Sequence, residues 1–474
     1  MMPAKKSYVI IIMAVLAMIG AGAAWFFWSQ AQQELHLIPQ KRVVGEAGPA
    51  AGAEVGTGWS AKEDPGAAVR QALAMALQDK EQAVPDFAAI FATSGADFPV
   101  ILAETRKLLG DKTKIFGGTS DSKGVMTNRG FIPAGKQVDA MTGKSTGLAV
   151  MAISSQDIVF GVGSADFSRY AHPKDGAKAA LREALESIGK TPKDSPQAIL
   201  AFISRSFEED ALEGISEVVG HNVPLLSGSA GGPKFAVLGN REVLAQGISL
   251  AVIYTKLPLG WVFEVGFEVS DPQRGVITQM EGAAVLQINW RPALDVYNEW
   301  LGGRLSKLQQ EGADDAKIRN LMRLNPFYRC YTSPAGQNYY LFSVPWPRNQ
   351  TPGDKSFLTS TELKIGDEIH LSHGTWETLL NRVGNLPVKA RVRGGMSPEG
   401  RPLLGVGFIC AGVMRAIPEA EREKIPVLIN YANHDAPFIS PFSCGEQGYF
   451  QGIGYKHGNL VTSFLVIGEK GASR

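Results

Sequence analysis

The side chains best able to do chemistry in this chain sit in short glycine-rich strings. Gly117-Gly118-Thr119-Ser120-Asp121 and Gly228-Ser229-Ala230-Gly231-Gly232 both mix glycines with hydroxyls. Successive backbone N–H groups in such a string can form a nest for a carboxylate or other anion; the plainer reading is a close-packed turn that uses glycine for its positive φ. The second string also resembles a nucleophile elbow about Ser229, which would make the protein a serine hydrolase. Ser227, however, stands at the first glycine position, and no His and acidic partner can be named from the sequence. Glu446 lies in the glycine-flanked turn Cys444-Gly445-Glu446-Gln447-Gly448, where a carboxylate either accepts hydrogen bonds from a ligand amine or caps local backbone. His457 and Asn459 follow in YKHGN and His434 lies in YANHDAP; a lone histidine is more often a hydrogen-bonded structural residue than a ligand.

Other motifs exclude more than they suggest. TGKST at Thr142 to Thr146 looks like the end of a phosphate loop, but Val138 occupies the position of the required glycine and the strand follows the motif. His370 and His373 form an H-x-x-H whose rings, on a strand, point to opposite faces, so no joint metal site is expected there. Lys plus Arg number 47 and Asp plus Glu 46, which gives the chain no general electrostatic reason to seek nucleic acid. Its three cysteines, Cys330, Cys410 and Cys444, rule out a disulfide scaffold and read as buried thiols, with a Cys410–Cys444 bridge as the alternative.

Something must position these strings, and the apolar pattern says what. From Gly52 the chain runs strand, helix, strand, helix, strand (AEVGTGWS, PGAAVRQALAMALQD, DFAAIFAT, FPVILAETRKLLG, TKIFGG), an order that predicts a largely parallel sheet with helices on its faces. The order then returns. VGTGWS is echoed by FGVGSAD, VRQAL by LREAL, PDFAAIFATS by PQAILAFISR and KIFGGTSD by PLLSGSAG, about 111 residues apart. Two half-units, near 52–140 and 157–255, are therefore expected to bring both glycine strings to one cleft about a pseudo-dyad, at the carboxyl ends of strands. After Gly247 the alternation reads as antiparallel strands, then a helix starting at Pro292 and stopped by Gly302-Gly303, then a solvent-facing helical insertion from Arg304 to Arg323 and further strands.

At the N-terminus, Tyr8 to Trp28 is 21 residues long without a charge, enough to span a bilayer as a single transmembrane helix. Lys5 and Lys6 precede it and SQAQQELH follows it, which places the N-terminus in the cytoplasm and everything after about residue 30 outside it; a signal peptide cleaved near Ala21-Gly22-Ala23 exports the domain equally. Residues 31–51 read as a flexible linker.

Taken in order, FGGTSDSKGVMTNRG, VPLLSGSAGG, ITQMEGAAVLQINWRPALDVYNEWLGG, GVGFICAG and FSCGEQGYFQGIGYKHGNLVTSFLVIG resemble the successive signatures of the FIST N and FIST C domains. The resemblance implies an α/β FIST N domain over 52–285 and a mixed α+β FIST C domain over 286–470. It also implies a bacterial sensory protein for small ligands, amino acids among them, acting beside a histidine kinase or diguanylate cyclase. No enzymatic activity, cofactor or metal is expected. The family's haem-binding nitric-oxide sensors supply the alternative, with His457 or His434 as axial ligand. Two departures from the family are visible, an export segment and Ala411-Gly412 where Gly-Arg commonly follows the F-x-C strand. On this reading the ligand contacts are Gly117, Gly118, Thr119, Ser120, Gly228, Ser229 and Gly231, with Glu446, His457 and Asn459.

Overall fold

A computed structural model describes residues 53–78, 84–121, 124–132, 147–267, 269, 273–348, 353–359, 361–397 and 400–471. The segment Tyr8 to Trp28, the linker 31–51 and the TGKST string lie outside the described residues. Among the described residues no helix is long and apolar enough to cross a membrane.

The apolar runs form the sheets foreseen, but each sheet has a different internal order. Ala53–Ser60, Leu148–Ser155, Phe87–Thr93 and Lys114–Ser120 lie side by side in that sequence. The last pair is parallel, whereas Leu148–Ser155 is antiparallel to both its neighbours. A largely parallel sheet is thus corrected to a mixed one, because the fourth strand of the unit returns between the first and second. The second unit repeats the arrangement with Ile158–Asp166, Gly247–Thr255, Ala198–Ser204 and Leu225–Ala230, in the same pairing senses.

A third unit exists as well. Leu259–Val265, Val461–Gly468, Pro402–Cys410 and Phe438–Ser443 form a sheet with the same order and the same senses. The pseudo-dyad expected from the duplication therefore gives way to pseudo-threefold symmetry, for which two details speak. Phe91, Phe202 and Phe408 occupy one position in the three second strands, are all fully buried, and meet one another with ring centroids 5.2, 6.1 and 6.4 Å apart. Gly58, Gly163 and Gly260 in the three first strands each allow a helix backbone to come close: a Cβ there would stand 1.9, 2.0 and 1.9 Å from the carbonyl oxygens of Ala72, Ala180 and Ala390.

The units are interlocked. After its third strand each unit projects a hairpin that pairs with the third strand of a different unit. Val125–Thr127 and Gly130–Ile132 join Phe438–Ser443; Val237–Leu238 and Val243–Leu244 join Lys114–Ser120; Glu446–Phe450 and Gly454–Gly458 join Leu225–Ala230. Sheets on both sides of residue 285 consequently share strands, so the division at 285/286 is one of sequence rather than of space.

Residues 274–371 are an insertion into the third unit that builds a fourth, antiparallel sheet. Its first helix, Ala293–Trp300, follows Pro292, and Gly302 and Gly303 end it with φ of 63° and 79°. The polar stretch Arg304 to Arg323 forms the helices Arg304–Gln310 and Asp315–Arg323.

Candidate functional site

Nine of the ten residues expected to hold a ligand separate into two groups, and Gly231 lies just past the end of the strand Leu225–Ala230. Gly117, Gly118, Thr119, Ser120, Gly228 and Ser229 lie within strands, fully buried, and their polar groups are engaged with protein. A Cβ on Gly117 would stand 1.8 Å from the Ile90 carbonyl oxygen, one on Gly118 2.7 Å from the Phe202 ring, one on Gly228 2.7 Å from Ser443 Cβ, and one on Gly231 2.7 Å from Cys444 Sγ. These glycines permit close packing between units. Thr119 Oγ1 donates to the Ala236 carbonyl and accepts from its N–H, and Ser120 Oγ donates to the Gly124 carbonyl and accepts from the Phe442 N–H. Ser229 Oγ donates to Glu208 at 2.7 Å and accepts from Gln447 Nε2 at 2.9 Å, in a fully buried chain that begins at Ser227. Both partners of Ser229 Oγ are other than histidine, so the elbow reading finds no triad there.

Of Glu446, His457 and Asn459, Asn459 lines a cleft, and the other two lie behind its lining residues Ser443 and Glu209. The cleft holds about 690 Å³ between the second unit, the third unit and the inserted sheet. Its walls include Arg205, Glu208 and Glu209 from the second unit, Cys410, Arg415, Ser443, Gly445 and Asn459 from the third, and Arg323, Trp346 and Glu362 from the insertion.

Glu446 sits beneath this floor with no exposure, its Oε1 accepting from Ser443 Oγ at 2.8 Å, with the Cys410 thiol also within hydrogen-bonding reach. Burial pushes its carboxyl up to about 8, so at neutral pH it is largely a neutral acid. That corrects its expected role: a neutral carboxyl is a weak partner for a ligand ammonium. The position is informative because the equivalent hairpin residues of the other units, Val125 and Val237, are apolar.

The cleft carries opposite charges on different walls. Arg415 makes a two-point contact with the fully buried Asp121 carboxylate, at 2.8 and 2.7 Å. Arg323 stacks over the Trp346 ring, 5.3 Å from its centroid, and no hydrogen-bond or ion-pair partner is recorded for it among the described residues. Burial, and then the Arg415 charge beside it, pull Arg323 down to about 10. On the acidic wall, His457 Nδ1 lies 2.8 Å from Glu209 Oε1. Burial alone would lower His457, but the Glu209 hydrogen bond and the charges of Glu208, Glu209 and Glu446 raise it. Burial pushes the Cys444 thiol up to about 12, aided by Asp121, and Cys410 is raised by burial and Glu446, so neither is a ready nucleophile. All three cysteines are free, without the Cys410–Cys444 bridge.

The geometry gives haem no seat. His457 Nε2 faces a gap so small that a Cβ on Gly445 would stand 2.6 Å from it, and His434 is an exposed residue with the Arg391 guanidinium 2.9 Å from its Nε2.

A family model described as FIST N domain matches residues 86–291. This part of the chain is a FIST N domain. Domains of this family are small-ligand sensory modules, and the FIST N match runs from the second strand of the first unit through the second unit and into the insertion. No curated protein matches the chain. Among solved structures it is similar to cyanuric acid hydrolase from A. caulinodans, with 10% identity over 88% of this chain and 100% of that one at a TM-score of 0.31. It is also similar to phosphoribosylformylglycinamidine synthase II from Thermotoga maritima, with 10% identity over 94% of this chain and 78% of that one at 0.21. Scores this low carry no argument about fold or activity.

Sequence reasoning missed Arg323, Arg415, Glu208 and Glu209. Arg323 ends a stretch that reads as solvent-facing, and only the tertiary fold turns it toward Trp346. Glu208 and Glu209 had a signal: they open the helix Glu208–Val219 directly after the second strand of a unit, at the carboxyl ends of strands where ligands gather.

Proposed function

We propose that this FIST protein is a small-ligand receptor, not an enzyme, and that it takes a carboxylate-bearing molecule of amino-acid size into the cleft, with the carboxylate on Arg323 and Arg415. One observation carries the reading: Arg323 is a half-buried guanidinium beside a second guanidinium, and the carboxylate whose charge reaches it, Asp121, is already paired with Arg415. A desolvated cation without a counter-ion is costly, and a planar carboxylate answers it with two hydrogen bonds. The volume suits a small ligand. Calorimetric titration with single amino acids and simple carboxylates tests it. A binder is expected, and Arg323→Met should weaken it roughly 10- to 100-fold, the worth of a charge-assisted hydrogen-bonded pair. A binder unaffected by that change, or none in the panel, would overturn it.

We read residues 286–470 as the FIST C domain, on the strength of GEQG and HGNL, of whose residues Asn459 lines the cleft. The receptor is further read as held at a membrane by Tyr8 to Trp28 with its cleft outside the cytoplasm, and as signalling through a partner such as a histidine kinase or diguanylate cyclase. Support comes from the uncharged 21-residue run behind Lys5 and Lys6. Protease added to spheroplasts and to lysed cells distinguishes the two sides: cleavage only after lysis would refute the placement.

A further inference from the structure

The acidic wall of the cleft holds a second arrangement. Glu208, Glu209 and His457 each bring one donor atom within 4.8 Å of the others. Two come from the first turn of one helix and the third from the edge hairpin of another unit, so the interlocking of hairpins is what assembles them.

Acidic clusters alone mean little, but here the histidine supplies an independent observation. Its side chain is 4% exposed. Nδ1 contacts Glu209, while Nε2 has no hydrogen-bond partner. A buried ring nitrogen left without a partner costs free energy unless something absent from the polypeptide meets it. The gap it faces is defined by Gly445: a Cβ there would stand 2.6 Å from His457 Nε2 and 3.3 Å from Ser229 Oγ. Ser229 Oγ is in turn bonded to Glu208 Oε1. Glu209 meets Nδ1 and the vacant nitrogen is Nε2, so one ion on Nε2 takes Glu209 as a ligand only when that exposed carboxylate leaves Nδ1 and swings to the other side of the ring. Gly445, with φ of 128°, packs against that ring nitrogen and itself lines the cleft, together with Glu208 and Glu209.

We propose that Glu208, Glu209 and His457 bind a divalent transition-metal ion of the zinc class, with coordination positions left open toward the cleft. One imidazole and two carboxylates form a mixed nitrogen and oxygen donor set, which suits zinc, cobalt, manganese or ferrous ion better than calcium or magnesium, whose ligands are oxygens. The buried serine and glutamine chain through Ser229 and Gln447 holds Glu208 in place, as outer-shell hydrogen bonds do for metal-binding carboxylates. The site shares the cleft with the proposed carboxylate ligand but does not depend on it.

The test is titration of the purified full-length chain with cobalt(II), followed by visible absorption, with zinc as competitor. One equivalent is expected to bind with d–d bands of a nitrogen and oxygen environment, without the near-ultraviolet charge-transfer bands of thiolate ligation, and zinc should displace it. Glu209→Gln, at a half-exposed position where folding is secure, should weaken cobalt at least tenfold, as should His457→Gln; thermal melting confirms that each variant is folded. Absence of stoichiometric cobalt, thiolate bands that assign the ion to Cys410 or Cys444, or unchanged affinity in folded Glu209→Gln would each overturn the proposal. Arg323→Met separates this from the ligand reading, since it should leave cobalt binding unchanged. If it abolishes cobalt binding in a folded protein, the ion is not held where we place it.

Discussion

Two shells of the same molecule differ in how well they keep its internal symmetry. On the pseudo-threefold axis the units contribute the same residue three times, Phe91, Phe202 and Phe408, in mutual contact. At the hairpin position paired to each third strand they diverge: Val125 and Val237 are apolar, and Glu446 is a buried acid. The next position repeats the contrast, with Met126 and Leu238 against Gln447. Symmetric positions pack and the broken ones hold polar chemistry, which teaches where to look in a repeat protein without an obvious motif.

The comparison can be broken first at the axis. Phe202→Ala deletes a ring packed against two others, and unfolding by denaturant should show a loss of about 3–5 kcal/mol. A loss below about 1 kcal/mol would mean that the three rings do not anchor the fold. A smaller effect is expected where a hairpin crosses to another unit. Arg106 holds the turn of the second unit's hairpin through Asn240 Oδ1 at 2.7 Å, while also meeting the carbonyls of Gly110 and Thr113 at 2.8 Å. Arg106→Ala should cost about 1–3 kcal/mol by leaving these acceptors short of a donor, read in the same way.

Restoring symmetry at Glu446 sharpens the contrast further, through pH. Its folded carboxyl lies near 8, above the ordinary 4.5. A carboxyl raised on folding contributes its stability fully below about 4.5 and loses it as pH climbs to about 8, because the folded state must then carry the charge. Melting temperature of the wild type should accordingly fall across that window. Glu446→Val should flatten the profile, being less stable than wild type at pH 5 and closer to it or above it at pH 8.5. Parallel profiles would show that Glu446 ionises freely. The smallest shift is expected from Lys174→Ala, which removes an exposed cation that pairs with Glu213 and Glu217 across two surface helices. Its melting temperature should stay within a degree or two, since exposed ion pairs contribute little.

Much of the symmetric shell was legible beforehand. Fully apolar strands such as FAAIFAT and AILAFIS announced themselves, as did the glycines and the duplication at about 111 residues. The third unit was hidden because residues 274–371 split its first strand from its helices, although Gly260 in LGWVFEV and the FIC that echoes FAT and FIS marked it. The broken shell was harder to read. A Glu in a glycine-flanked turn looks solvated, and nothing local to GEQG reveals that another unit's strand will bury it. His457 was singled out, but its partners Glu208 and Glu209 lie some 250 residues away, joined to it only by the hairpin exchange.

That exchange also sets an order of events during synthesis. The hairpin Val125–Ile132 cannot find its place until the far later Phe438–Ser443 has also left the ribosome. The first unit therefore emerges with its own hairpin unpaired and the edge of Lys114–Ser120 open until the second unit's hairpin arrives. Strand edges left open for so long invite mispairing with other chains. A nascent chain of this protein is thus a better client for a holding chaperone than its finished form, and truncation anywhere before the last strands should yield aggregate rather than a smaller working domain.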